Sequence, residues 1–187
     1  MTVEKSAVAT VAGLMALAAR TAPKAKGQDE ILLQLLTDAQ RKKLVKAMIA
    51  FGERNNLGFF LRDAKNISAC DACLVIGIRG AVAVGLNCGA CGYATCAAFA
   101  KAAQAAQKKK TRTTSYAGPN CAVRMADIGI ALGSAVKTAQ IHNADNRIMY
   151  SAGSAAMNLG FLGKDCTVAY AIPLSVTGKN IFFDRSA

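Results

Sequence analysis

Leu74-Val75-Ile76-Gly77-Ile78 is a short, unbroken apolar run rich in β-branched residues. A run of that length and composition reads as a buried β-strand rather than one face of a helix. Thr167 to Ile172 is a second β run, with Pro173 at its end or on an edge. Most of the chain around these two runs has helical patterning. Residues 3–20 are rich in Ala and Leu, and Thr21-Ala22-Pro23-Lys24-Ala25-Lys26-Gly27 breaks the pattern. Residues 28–36 read as a short apolar helix. Residues 38–55 form another, with Leu44, Ala47, Met48 and Phe51 at helical spacing and Asp38 as a cap, before a turn at Asn55-Asn56-Leu57-Gly58. Ala81 to Leu86 continues the first strand or forms another. Ala97 to Lys110, residues 121–141 and residues 145–160 read as helices, the last capped by Asp145. Strands and helices do not strictly alternate. The expected class is therefore α+β: helix-rich, with one small mixed sheet containing Leu74–Ile78 and Thr167–Ile172.

Composition supports that class. Of 187 residues, 53% are hydrophobic and only 18% charged, enough apolar surface for a sizeable core and too little charge for a disordered chain. The length suits a single domain over 1–187. The net charge of +12 is mostly dispersed. Lys108, Lys109, Lys110 and Arg112 form the one dense run, a solvated helix end or a docking patch. No basic stripe interleaved with aromatics supports nucleic-acid binding. No apolar run reaches a membrane span. Ser6 to Ala19, with Ala16-Leu17-Ala18, resembles a signal segment, but a first helix ending at Arg20 fits as well, and a cytoplasmic protein is expected.

The seven cysteines are an odd, clustered set, which argues against a secreted disulfide framework. Cys88, Cys91 and Cys96 are spaced C-x2-C-x4-C, and Cys121 follows after twenty-four residues in Gly118-Pro119-Asn120-Cys121. Thiolates are soft ligands that select iron–sulfur clusters, zinc and Cu(I). Gly89 and Gly92 supply the dihedral freedom for one loop to turn several sulfurs to one side and leave N–H groups facing them. A helix starting near Cys96 aims its positive end at the same place. Zinc is the rival occupant, although only Cys88 and Cys91 form a clean knuckle. Arg20, Lys24 and Lys26 beside a glycine turn form a candidate phosphate site, the plainer alternative being a solvated basic loop. Cys70 and Cys73 form another C-x2-C, read as structural cysteines, the alternatives being a dithiol or part of a second metal site; Cys166 reads as a core cysteine, His142 as a capping or surface residue, and Met15, Met48, Met125, Met149 and Met157 as core filler.

The segment Asn87-Cys88-Gly89-Ala90-Cys91-Gly92-Tyr93-Ala94-Thr95-Cys96-Ala97-Ala98-Phe99-Ala100 closely resembles the four-cysteine 4Fe–4S module of several anaerobic redox proteins. Examples are the cluster-binding B subunit of ion-pumping NAD–ferredoxin oxidoreductases and a corrinoid subunit of acetyl-CoA synthase complexes. The resemblance makes Cys88, Cys91 and Cys96 the first three ligands and Cys121 the fourth, within an embedded segment over 85–122. Most of the chain resembles a family of small proteins described as containing a ferredoxin domain. That likeness rests on Ala18–Gly27, Gly118–Cys121, Ala131–Val136, Asp145–Arg147 and Ile172–Asn180.

A helix ending in Arg20 before Ala22-Pro23 resembles the opening of nitroreductase-like flavoproteins. That likeness implies an FMN phosphate held by Arg20, Lys24 and Arg185, and a homodimer. Two functions follow as expectations. The first is an electron-transfer protein with one 4Fe–4S cluster and a redox partner protein. The second is a nitroreductase-like flavoprotein in which the cluster feeds FMN. A structural zinc module is the third.

Overall fold

A computed structural model of the chain describes residues 2–108 and 114–183. Its framework is a four-stranded sheet of β1 (Ile31–Leu35), β2 (Ala72–Ile78), β3 (Asp145–Asn146) and β4 (Val168–Ser175), in the order β1-β2-β4-β3. Both expected strands are present, and they are neighbours, running from Ala72 opposite Leu174 to Ile78 opposite Val168. The sheet is antiparallel at every pairing, where a mixed sheet was expected.

Helices cover both faces. α1 (Val3–Thr21) and α5 (Ala122–Ile141) lie on one side. Their Val8, Ala12, Met15, Ile128 and Leu132 pack on Leu74, Ile76 and Ile78 of β2. α2 (Asp38–Arg54), α3 (Gly58–Ala69) and α6 (Tyr150–Asn158) cover the other side, against Cys73 and Val75. β2 therefore alternates between two cores, which is why its sequence is apolar throughout rather than at every second position. α6 lies so close to β4 that a Cβ on Gly153 would stand 2.2 Å from the Ala169 carbonyl oxygen.

Five further sequence expectations require correction. Residues 28–36 are not helical. The apolar run there is too short to separate strand from helix by pattern alone, and the free edge of β2 pairs it as β1, with Ile31 opposite Ile78. Residues 145–160 do not form one helix. Asp145 and Asn146 pair with β4, α6 begins at Tyr150, and the Asp145 carboxylate accepts from Asn180 Nδ2 at 3.0 Å instead of capping a helix. Ala81–Leu86 forms no strand. Asp38 lies in the first turn of α2, while Thr37 is the cap, its Oγ1 accepting from Gln40 N at 3.3 Å as Gln40 Oε1 accepts from Thr37 N at 2.9 Å. Pro173 lies inside β4. Pairing with β3 stops at Asn146 and resumes only as a bridge from Met149 to Ala171, so the gap falls beside the residue that has no N–H.

Cys70, Cys73 and Cys166 are buried, as expected, and burial pushes the thiols of Cys70 and Cys73 up from their ordinary range. His142 is exposed at the C-cap of α5. Among the described residues, no helix is long and apolar enough to cross a membrane.

Candidate functional site

The cysteine loop starts where β2 ends and closes at α4 (Cys96–Gln107). Gly85, Asn87, Gly89 and Gly92 all have positive φ, between 49° and 85°. Such a run of left-handed residues turns the chain back on itself repeatedly, and the expected freedom at Gly89 and Gly92 is used. Cys88 is exposed and Cys91 partly covered. Cys96 is the first residue of α4, behind the cap Thr95, whose Oγ1 accepts from Ala98 N at 3.2 Å. The expected helix start at Cys96 is therefore observed.

Asn87 and Cys96 clasp each other. Cys96 N donates to Asn87 Oδ1 at 2.8 Å, and Asn87 N donates to Cys96 Sγ at 3.3 Å. The Cys96 thiol is held below its ordinary range, chiefly by the Asn87 N–H. Desolvation opposes this, and the N–H groups of Gly85 and Leu86 and the charge of Lys26 lower the thiol further. Donors converging on a sulfur favour its anionic form, the form that binds metal.

Cys121 comes from the opposite direction. It is the N-cap of α5, is 6% exposed, and donates its N–H to the Gly80 carbonyl at 2.8 Å. The approach to it, with a cis bond at Gly118–Pro119, is pinned to β4 and to the residue just before it. Ala117 N donates to Thr167 O at 3.0 Å and Tyr116 Oη to Ala169 O at 2.5 Å. Cys121 shares a small core with Val84, Phe99 and Ala103, against which Cys91, Tyr93 and Ala25 pack. Cys91 and Cys121 thus border one core, Cys96 stands at the α4 end of the same loop, and Cys88 is outermost. Among the described residues, no three Cys, His, Asp or Glu side chains are gathered closely enough to hold a single metal ion.

The donor set fits an iron–sulfur group by its chemistry: four thiols, N–H groups directed at one sulfur, and two helix amino ends, which favour negative charge. A cubane spreads its thiolates over a wider tetrahedron than one ion does.

The basic turn lies beside this site, since Ala25 packs on its core. Arg20 Nη1 donates to Asp29 Oδ2 at 2.5 Å and Ile31 O at 2.9 Å, with its side chain about half exposed. The Lys24 side chain is 6% exposed and its ammonium binds the carbonyls of Ala19 and Arg20. Burial pulls Lys24 below its ordinary value. Arg185, the third expected phosphate ligand, lies outside the described residues, as do Lys109, Lys110 and Arg112.

One residue of this region escaped the sequence reading. Arg124 is fully buried between the basic turn and the cysteine loop and pairs with Asp127 at 3.0 Å. The available signal was an Arg and an Asp three apart in a stretch, residues 122–133, that is otherwise free of polar side chains.

The family described as uncharacterized protein containing a ferredoxin domain matches residues 117–185, and an Fe-S cluster family matches residues 85–112. An uncharacterized protein of Archaeoglobus fulgidus is 42% identical over 173 residues, 92% of this chain and 89% of that protein. Among solved structures, a nitroreductase-like family protein from Bacillus cereus superposes with a TM-score of 0.55 at 14% identity, over 95% of this chain and 78% of that one. The NADPH:FMN oxidoreductase from Vibrio harveyi complexed with NAD+ gives a TM-score of 0.51 at 14% identity, over 96% of this chain and 62% of that one. At these identities the likeness shows the fold, which is nitroreductase-like.

Proposed function

The chain belongs to the family of uncharacterized proteins containing a ferredoxin domain, and from that membership we propose an iron–sulfur redox protein that passes electrons through one 4Fe–4S cluster. The observation that supports this reading is that Cys91 and Cys121 border one small core, with Cys96 at the α4 end of the same loop and N–H groups directed at its sulfur. Cys88, Cys91, Cys96 and Cys121 would hold the cluster. Such a cluster takes up and gives back one electron at a time, at a potential between about −700 and +450 mV set by its surroundings. The chain's own part is to supply four thiolates, stabilise anionic sulfur through the N–H groups of residues 85–87, and shield one side with Val84, Phe99 and Ala103. The setting is a reducing compartment, the cytoplasm, with a redox partner protein at the exposed Cys88 side.

A second reading has its own support. The fold is shared with flavin-linked oxidoreductases, and the turn carrying Arg20, Lys24 and Lys26 adjoins the cysteine site. Under that reading the turn, with Arg185, holds an FMN phosphate, and the cluster exchanges electrons with the flavin.

One experiment separates these readings. Iron, acid-labile sulfide, zinc and flavin are quantified in anaerobically purified wild type and in Cys→Ser variants at 88, 91, 96 and 121. The proposal expects about four iron and four sulfide per chain, lost in each variant. Bound flavin adds the second reading. Zinc without sulfide replaces both with a structural zinc module.

A further inference from the structure

Arg124 has no exposed surface, yet every nitrogen of its guanidinium is in use. Nε donates to Val82 O at 3.3 Å, Nη1 to Gln28 O at 2.9 Å and Asp127 Oδ2 at 3.0 Å, and Nη2 to Gln28 Oε1 at 2.7 Å. The other Asp127 oxygen accepts from Ala25 N at 2.9 Å. This one buried pair therefore joins three segments: the base of the cysteine loop at Val82, the basic turn at Ala25 and Gln28, and α5 one turn beyond Cys121. Burying two charges sacrifices hydration that their attraction only partly restores, so such a pair is weak evidence for stability. The neighbouring buried positions of α5, Ile128, Ala131, Leu132 and Ala135, are filled by apolar side chains. What a guanidinium adds is direction. Its planar fork fixes several acceptors at set angles, which neither a lysine ammonium nor an apolar residue can do.

We infer that Arg124 is a positioning residue for the cysteine site. It holds the start of the loop and the amino end of α5 in register, so that Cys121 faces the thiols of Cys88, Cys91 and Cys96, and it ties the basic turn to the same frame. The inference rests on the iron–sulfur reading, and its test has an arm that needs no iron.

Full-length wild type, Arg124→Lys, Asp127→Asn and Asp63→Asn are compared without metal. Asp63→Asn is the control, because Asp63 is an equally buried acid on the far side of the sheet, accepting from Ser151 Oγ at 2.5 Å. Alkylation of Cys121 by iodoacetamide is followed by mass spectrometry, with amide exchange over residues 24–28 and 82–87 and a thermal melt. Arg124→Lys is expected to raise Cys121 alkylation roughly tenfold through local opening and to speed exchange in both segments, while Asp63→Asn leaves them protected at a similar melting temperature. After reconstitution with iron and sulfide, Arg124→Lys is expected to retain less cluster, with an altered EPR line shape and midpoint potential. Unchanged Cys121 protection in Arg124→Lys overturns the inference, as does equal exposure in Asp63→Asn. If Arg124→Lys does not fold, Asp127→Asn is read in its place by the same criteria. A wild type that takes up no iron overturns the iron–sulfur reading, and the alkylation arm still decides whether Arg124 positions Cys121.

Discussion

Replacing Gly80 with alanine tests how tightly the sheet is joined to the cysteine site. Gly80 follows β2, donates its N–H to Thr167 Oγ1 at 2.8 Å and accepts at its carbonyl from Cys121 N at 2.8 Å. An added Cβ would stand 2.3 Å from Asn120 Oδ1 and 2.8 Å from both Met125 Cε and Thr167 Oγ1. The methionine end can swing away. The threonine hydroxyl is held at both ends, because it also bonds Ile78 O at 3.2 Å. The Asn120 oxygen must retreat from 2.3 Å to an ordinary 3.4 Å, about 1.1 Å, while its Nδ2 is tethered to Ala117 O at 2.6 Å. Overpacking of this kind costs about 1–3 kcal/mol. At about 2–4 °C per kcal/mol for a chain of this size, a cost near 2 kcal/mol lowers the melting temperature by about 4–8 °C. Gly129→Ala is the control. It lies on the exposed face of α5 with nothing within 4 Å of a new Cβ, and alanine there stabilises by up to about 1 kcal/mol. The assay is thermal unfolding of the metal-free proteins by circular dichroism, followed by iron uptake. Gly80→Ala is expected to melt below wild type, Gly129→Ala at or above it, and only Gly80→Ala to lose iron. A Gly80→Ala protein as stable as Gly129→Ala would refute the close junction.

Three further outcomes follow from the same geometry. Thr37→Ala removes one half of the α2 capping box and is expected to cost about 1 kcal/mol in denaturant unfolding; no change would mean that the box is not held in solution. In metal-free native protein near neutral pH, Cys96 should alkylate well before Cys70 and Cys73, since its thiol is lowered while burial raises theirs; the reverse order would contradict the N–H arrangement at Asn87. Partial burial pushes the Asp29 carboxyl up, but Arg20, the Ile31 N–H and Lys24 together hold it below its ordinary value. Its contribution to stability is therefore present above the usual carboxylate range and lost as pH falls through the folded value. The stability gap between wild type and Asp29→Asn should shrink as pH falls from about 5 to about 2, and a gap that widened would reverse the sign.

The sequence displays what is local. The cysteine spacing, the glycines that turn the loop and the start of α4 at Cys96 depend on near neighbours, and all three are legible. β2 is legible because both its faces are buried. β1 is not, since five residues, four of them apolar, acquire strand character only by pairing with β2. α3 escaped because it begins at Gly58 with no side-chain cap, and its apolar side, Phe60, Ala64 and Ile67, is interrupted by the buried Asp63. Asp145 has the residue type of a cap, but its partner Asn180 lies 35 positions away. Arg124 was invisible as a site residue for the same reason, with acceptors 42 and 96 positions distant.

The most direct test of the central claim is the EPR spectrum of the anaerobically purified, dithionite-reduced protein, with iron and sulfide measured on the same sample. The account predicts the low-temperature signal of one reduced 4Fe–4S cluster, about four iron and four sulfide per chain, and loss of the signal in Cys96→Ser and Cys121→Ser. An EPR-silent protein lacking iron and sulfide, or a signal unchanged in both variants, would contradict it.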